Sequence, residues 1–286
     1  MAITQEKWQQ EKWQAVRASV KETGDRFLEF VSSAPDPDAK VTEEWSVVDT
    51  LAHVTAIAWM YTTMVRSDDT PLPISGLDEV IAVTTVDTVS TFNDVTLQYF
   101  GERNRGELVK QLHTSIDEIL WASADLDPTK PVGWLGGAQV PLAGILAHLV
   151  NEMLVHGHDI SRGIRLPWAI PSKDAALFFD LFLVGVIGSD VGRLLDNGGP
   201  AQDRRIAVNF RSRYTTPVAL VLQRGEVSVE EPSRGNDMTV YFEPAMMNLM
   251  LFHRVSTPRA ALSGKVRVWG RRPWLLPTFM RTVRLP

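Results

Sequence analysis

The run His148-Leu-Val-Asn-Glu152-Met-Leu-Val-His156-Gly-His158-Asp159 limits what this chain can become, because it sets ionisable side chains inside an otherwise apolar helical stretch. On an α-helix, positions i and i+4 share a face, so Glu152 and His156 can point at one atom. A carboxylate beside a neutral imidazole suits a divalent metal such as zinc, yet two ligands from one helix do not complete a site. The chain offers a third in His53, within Trp45-Ser-Val-Val-Asp49-Thr-Leu-Ala-His53-Val, a second helical pattern.

His148 lies on the same face, one turn before Glu152. Eight residues separate it from His156, roughly 12 Å along the axis at ~1.5 Å per residue, which is too far for both to hold one ion at ~2.1 Å. Glu152 must therefore work with one of these neighbours or the other. The competing reading is a set of polar residues satisfied inside a helical bundle.

The chain has no cysteine, which excludes disulfides, thiolate metal ligands and a cysteine nucleophile together. Any sulfur chemistry needs a cosubstrate to bring the sulfur. With 286 residues, there is length for two domains with sizeable cores. A formal charge of −5 without a long Lys/Arg run speaks against nucleic-acid binding. The longest apolar stretches, such as Ala175 to Gly188, are interrupted by Asp180 and by glycines, so no membrane span is expected. Because Met-Ala-Ile-Thr-Gln-Glu-Lys has no apolar signal core, a cytoplasmic location is expected.

Taken in order, Ile3 to Val31 reads as a helix with Trp13, Val16, Val20, Phe27 and Val31 near one face. Ser46 and Asp49 form a cap signature for a second helix reaching about Val65. Its buried stripe is Leu51, Val54, Ile57, Ala58, Tyr61 and Met64, with His53 at the edge. Residues 67–91 read as a long connection with a short helix near Leu77 to Val83, either a substrate lid or a plain crossover. Helices follow at Thr91 to Phe100 and Gly106 to Ala124. The Gly- and Pro-bearing stretch Asp125 to Gln139 reads as a connection, and a last helix runs from near Pro141 to Ile160. Four principal helices with a long crossover make a bundle able to hold a metal.

After a linker ending at Pro171, Ser172 to Leu195 reads as one apolar helix terminated by Asn197-Gly-Gly-Pro200. Strands are predicted at Ile206 to Phe210, Pro217 to Leu222, Glu226 to Glu230, Asp237 to Phe242 and Leu262 to Val268, with a hairpin turn at Gln223-Arg-Gly225. Helices are predicted at Pro244 to His253 and Pro273 to Val283. The pattern is that of an α+β unit.

On the strength of Trp45 to His53 and of Glu152-x-x-x-His156-Gly-x-Asp159, the first half resembles the mycothiol-dependent maleylpyruvate isomerase family, a branch of the DinB-like metal-binding four-helix bundles. The second half, through Leu249 to Arg254 and Ala261-Leu-Ser-Gly264-Lys-Val-Arg-Val-Trp-Gly270, resembles a sterol-carrier-protein-2-like (SCP-2-like) domain. The resemblance implies a DinB-like bundle over 1–163, a linker over 164–171 and an SCP-2-like α+β domain over 172–286. It also implies a divalent metal, zinc in the first instance, held by His53, Glu152 and His156, with mycothiol as thiol cosubstrate. An arginine of the second domain acts in the family, and Arg254, in Phe252-His253-Arg254, is the matching position. Its alternative role is a cation favourable at a helix C-terminus.

The implied reaction joins the thiol to a small electrophilic substrate, either as cis–trans isomerisation or as S-transfer. Asp159 could accept the second imidazole proton of His156 or simply end the helix, while His158 points away from the metal face. Two other classes compete: a carrier of an apolar ligand in the second domain, and a metal-bearing stress or regulatory interaction module. Nothing in the sequence addresses oligomeric state.

Overall fold

Burial at helical spacing organises the first half. In the computed structural model, which describes residues 2–66, 76–196 and 203–283, Trp13, Val16, Val20, Phe27 and Val31 turn one face of α1 (Ala2–Ser32) into a core. Against it stand α2 (Val47–Arg66), α5 (Arg105–Ala122) and α6 (Leu142–Ile164). α1 and α2 each pack on both α5 and α6, which makes the expected four-helix bundle. The crossover from α2 to α5 carries α3 (Leu77–Val83) and α4 (Val89–Tyr99). Residues 67–75 of the expected lid lie outside the described residues, as does the Asn197 to Pro200 terminator.

Between α5 and α6 the structure departs from the expected plain connection. Pro131–Gly133 (β1) and Gln139–Pro141 (β2) pair antiparallel, folding Trp134 and Leu135 back into the bundle core. Three-residue strands leave too little alternation for a periodicity test to find.

After α6 the chain recrosses the bundle. Trp168 stacks near Phe30 at 5.1 Å and donates its indole N–H to the Leu154 carbonyl at 3.0 Å. One helical rod follows: α7 (Ser172–Leu177), a π-helical turn (Phe178–Leu183) and α8 (Val184–Ser189). It stops at Ser189, short of the expected Leu195. The reason lies at Gly192, whose φ of 49° carries the chain so close over the Gly136–Ala138 backbone that an added Cβ would sit 2.4 Å from the Gly136 oxygen.

This rod belongs to both halves. Phe178 and Phe182 enter the bundle core, whereas Phe179 enters the core of the sheet. The sheet has order β5-β4-β3-β6-β7, from β3 (Ile206–Arg211), β4 (Val218–Gln223), β5 (Glu226–Glu230), β6 (Met238–Phe242) and β7 (Val266–Gly270). β3 and β6 run parallel, and the other neighbours antiparallel. Arg224 and Gly225, both at positive φ, close the β4–β5 hairpin, as the sequence predicts.

α9 (Pro244–Leu251) is capped by the Glu243 carboxylate, which accepts from the Met246 amide at 3.0 Å. Where the strand was expected from Leu262, a helix α10 (Thr257–Leu262) intervenes and β7 starts at Val266. Ser256-Thr-Pro258 is a helix start, with proline in the first turn. The closing helix shortens to a 3-10 turn (Pro273–Leu275) followed by α11 (Leu276–Met280).

Candidate metal centre

Local chemistry at the start of α2 places His53. Ser46 donates its amide and its hydroxyl to Asp49 Oδ2 at 3.0 and 2.7 Å, and accepts the Asp49 amide at 3.2 Å. Arg103 Nε adds a further donor to Asp49 at 2.9 Å. Burial alone would raise the Asp49 pKa, but the Ser46 and Arg103 bonds outweigh it and hold it low. One turn further along this pinned helix stands His53.

Its imidazole meets the residues of α6. His53 Nε2 lies 3.4 Å and His156 Nε2 3.3 Å from the same atom, Glu152 Oε2. The two imidazole planes cross at 81°, with centroids 5.0 Å apart. One donor atom from each of the three buried residues falls within 4.8 Å of the others. Trp45, held in the turn before α2, covers both rings with centroid separations of 4.7 Å to His53 and 5.8 Å to His156.

This donor set fits a divalent metal on its own chemistry. A buried carboxylate is costly unless a cation answers it, and the described ion-pair partners of Glu152 are all imidazoles. Two nitrogens and one oxygen converging from two helices are a donor set that would suit a zinc ion.

His148 settles on the other side of the same carboxylate. Trp134 donates its indole N–H to the Tyr61 hydroxyl at 3.2 Å, and that hydroxyl lies 2.9 Å from His148 Nδ1. The arrangement that gives every donor of this chain an acceptor has Tyr61 donating to Nδ1 and a neutral His148 carrying its proton on Nε2. That atom is 3.5 Å from Glu152 Oε1, so the chain of donors faces the oxygen remote from His53 and His156. Thus His156, rather than His148, joins His53, and His148 braces the carboxylate from behind.

Asp159 links this cluster to the second half. Its Oδ2 lies 3.2 Å from His156 Nδ1, close enough for an ion pair though off the line of a hydrogen bond. Arg254 grips both carboxylate oxygens, through Nε at 3.0 Å and Nη2 at 2.6 Å. The Arg254 amide donates to the Leu249 carbonyl and the His253 amide to that of Met250, a Schellman closure of α9 with His253 at a left-handed φ of 60°. Arg254 Nη1 also donates to the Phe252 carbonyl at 2.7 Å, so the cation both caps α9 and binds Asp159.

The electrostatics follow from these contacts. Burial would raise the Glu152 pKa, but His148, His156 and His53 bring it well below the usual carboxylate range. Burial lowers both His53 and His148. For His156, burial is outweighed by Asp159 and Glu152, which lift it to about 9. Asp159 falls to about 2, because His156 and Arg254 outweigh its burial. His158 is half-buried and outside the cluster.

Sequence reasoning missed the parts of Trp134 and Tyr61, since one sits in an irregular connection and the other counts as core in a helical stripe. It also missed Phe178 and Phe182, stacked at 5.1 Å beside the His148 ring. The π-helical turn that presents them carries no periodic signal, although such turns recur at functional sites.

A helical bundle with a buried His–Glu–His cluster at its centre, joined to a five-stranded mixed sheet, defines a two-part molecule built around one ionisable site. Residues 17–161 match the family model described as the mycothiol maleylpyruvate isomerase N-terminal domain, and the chain belongs to that family. Among solved structures it is similar to the mycothiol-dependent maleylpyruvate isomerase, with 15% identity, a TM-score of 0.52, and coverage of 91% of this chain and 92% of that one. A histidine-to-alanine mutant of that isomerase matches with the same identity and coverage and a TM-score of 0.51. At this identity the likeness is one of fold. Comparison with curated proteins gives no match.

Proposed function

We propose that this protein is a metal-dependent enzyme that uses a low-molecular-weight thiol, mycothiol, against a small electrophile. His53, Glu152 and His156 would hold the ion, with zinc the metal best suited to two imidazoles and one carboxylate. A bound divalent ion would supply positive charge that favours the thiolate form of the cosubstrate. His148 keeps Glu152 oriented, Asp159 fixes the His156 ring, and Trp45 shields the cluster from water. Arg254 faces the same cavity and would stabilise negative charge developing on the substrate oxygen.

In this reading the thiolate sulfur bonds to a carbon of a conjugated cis double bond. If the resulting single bond rotates and the same thiolate leaves, the product is the trans isomer with the thiol returned. If the adduct takes up a proton and departs, the outcome is S-transfer. The bundle is assigned to the DinB-like class over 1–163, with a linker over 164–171 and an SCP-2-like unit over 172–286.

The observation that carries this reading is the convergence of His53 and His156 on one oxygen of Glu152 in a chain of this family. Metal analysis should find about one divalent ion per chain, lost in His53→Ala. The cobalt-substituted protein titrated with mycothiol should develop a sulfur-to-metal charge-transfer band. Absence of that band with mycothiol and every other thiol tried would remove the thiol from the mechanism.

A further inference from the structure

The cluster opens into a cavity of about 1210 Å³, above the ~300–1,000 Å³ of common small-molecule sites. It does not end in the bundle. Its wall continues along Phe178 and Phe182, passes Leu183 and Ile187, and reaches Phe210, Val240 and Phe279 inside the sheet unit. The π-helical turn makes this possible, because Phe178 and Phe182 turn to the bundle side while Phe179 turns to Phe210 and Phe242 at 5.5 and 4.9 Å.

Charge is confined to one end. Among the described lining residues, Glu152 is the only carboxylate, and Arg254 is the only lysine or arginine. Arg254 is already neutralised by both oxygens of Asp159, with a third nitrogen on the Phe252 carbonyl. Maleylpyruvate, the substrate in the name of the structural relative, carries two carboxylates. Each would have to leave water for a wall where Arg254 is already paired with Asp159 and the positive charge of the cluster already answers Glu152, and uncompensated burial of charge is strongly unfavourable. A neutral apolar body instead gains about 0.8 kcal/mol for each methylene it buries.

We propose that the electrophile this site takes is amphipathic, with one conjugated carbonyl head between the His53–Glu152–His156 cluster and Arg254 and an extended apolar body running toward the sheet. The inference rests on the thiol-enzyme reading and names its substrate class. The step is a conjugate addition: the S–H bond breaks, sulfur bonds to the β-carbon, the proton goes to the α-carbon, and the carbon–carbon π bond is lost. No external oxidant or reductant is needed.

The test uses zinc-loaded protein, mycothiol and trans-2-alkenals from four to twelve carbons, beside a series of 1-alkanols read by fluorescence of the cavity tryptophans Trp45 and Trp134 without thiol. Both kcat/KM and alkanol affinity should rise about three- to fourfold per added methylene over several carbons, as expected for burial of apolar surface. Val240→Phe, which narrows the sheet end, should lower the ratio of dodecenal to butenal turnover by about tenfold or more, and the wild-type series stands should that variant not fold. Turnover that is flat with chain length, or maleylpyruvate turned over better than every alkenal, overturns the substrate class and leaves the thiol enzyme intact. Steep alkanol binding without mycothiol-dependent turnover of any electrophile overturns the thiol reading and this assignment with it, leaving an apolar-ligand site.

Discussion

The two cores of this molecule are built on opposite principles. The bundle surrounds buried ionisable and polar groups, His53, Tyr61, His148, Glu152 and His156, whereas the sheet packs a hydrophobic face from Phe179 and Phe210 to Phe242 and Phe279 and keeps its buried polar groups, Asn209, Asn236 and Asp237, hydrogen-bonded to one another or to the backbone. Apolar burial needs no partner geometry beyond close packing. Buried charge is tolerated only with hydrogen bonds, ion pairs or a metal. Stability and chemistry are thereby separated: the sheet can be disturbed without touching the donor set, but the bundle centre cannot lose one donor without stranding the others.

The sharpest break of that contrast is Glu152→Gln. It takes the charge from the carboxylate that both imidazoles approach, so metal content should fall from about one per chain to near zero, and thiol-dependent turnover with it. Retained metal and activity would dissolve the distinction between the two cores. The matching change in the sheet is Phe242→Ala, at a fully buried ring, expected to cost about 3–5 kcal/mol in urea unfolding while metal stoichiometry in the folded fraction stays the same.

A pH series separates the cores without mutation. The His156 pKa in the folded chain, about 9, exceeds the unfolded value near 6.5, so its stabilisation of the metal-free protein is complete below pH 6.5 and fades as pH rises to about 9. The loss should approach roughly 3 kcal/mol. Coordination requires the neutral ring, so zinc loading at pH 7.5 should release about one proton, visible as a buffer-dependent heat in titration calorimetry, and the alkaline slope should flatten. A smaller effect is expected for Tyr61→Phe, which takes away the proton donor to His148 Nδ1 and frees the tautomer that faces Glu152. Zinc affinity should drop about tenfold with little change in fold.

Smallest is His253→Gly at the left-handed closure of α9. It relieves strain of about 1 kcal/mol but frees the unfolded chain by a similar amount. Stability within about 1 kcal/mol of wild type, with the pH response unchanged, is the expected result. A larger loss would show that the imidazole at 253 itself holds the halves together.

Much of the helical half is legible in the residues. The α1 stripe, the Ser46–Asp49 cap and the Glu152/His156 spacing are local signals, each set by a helical period or a three-residue bond. The β1–β2 hairpin and the π-helical turn are not legible, for their shape is imposed by what packs over them. In the second half the alternation of β3, β4 and β6 is plain, but the α10 insertion hides behind a Leu-Ser-Gly run that reads equally well as the approach to a strand.

What the residues determined alone was the supply of parts: no cysteine, an acid and an imidazole one turn apart in an apolar helix, and a second histidine behind a cap. Only the tertiary structure decided that His156 and not His148 stands beside His53, and that Arg254 reaches Asp159 from across the molecule. It also decided that one helix rod lines both cores. Local spacing fixes which side chains share a face of one element, but which faces meet depends on packing between elements far apart in sequence, and no period along the chain records that.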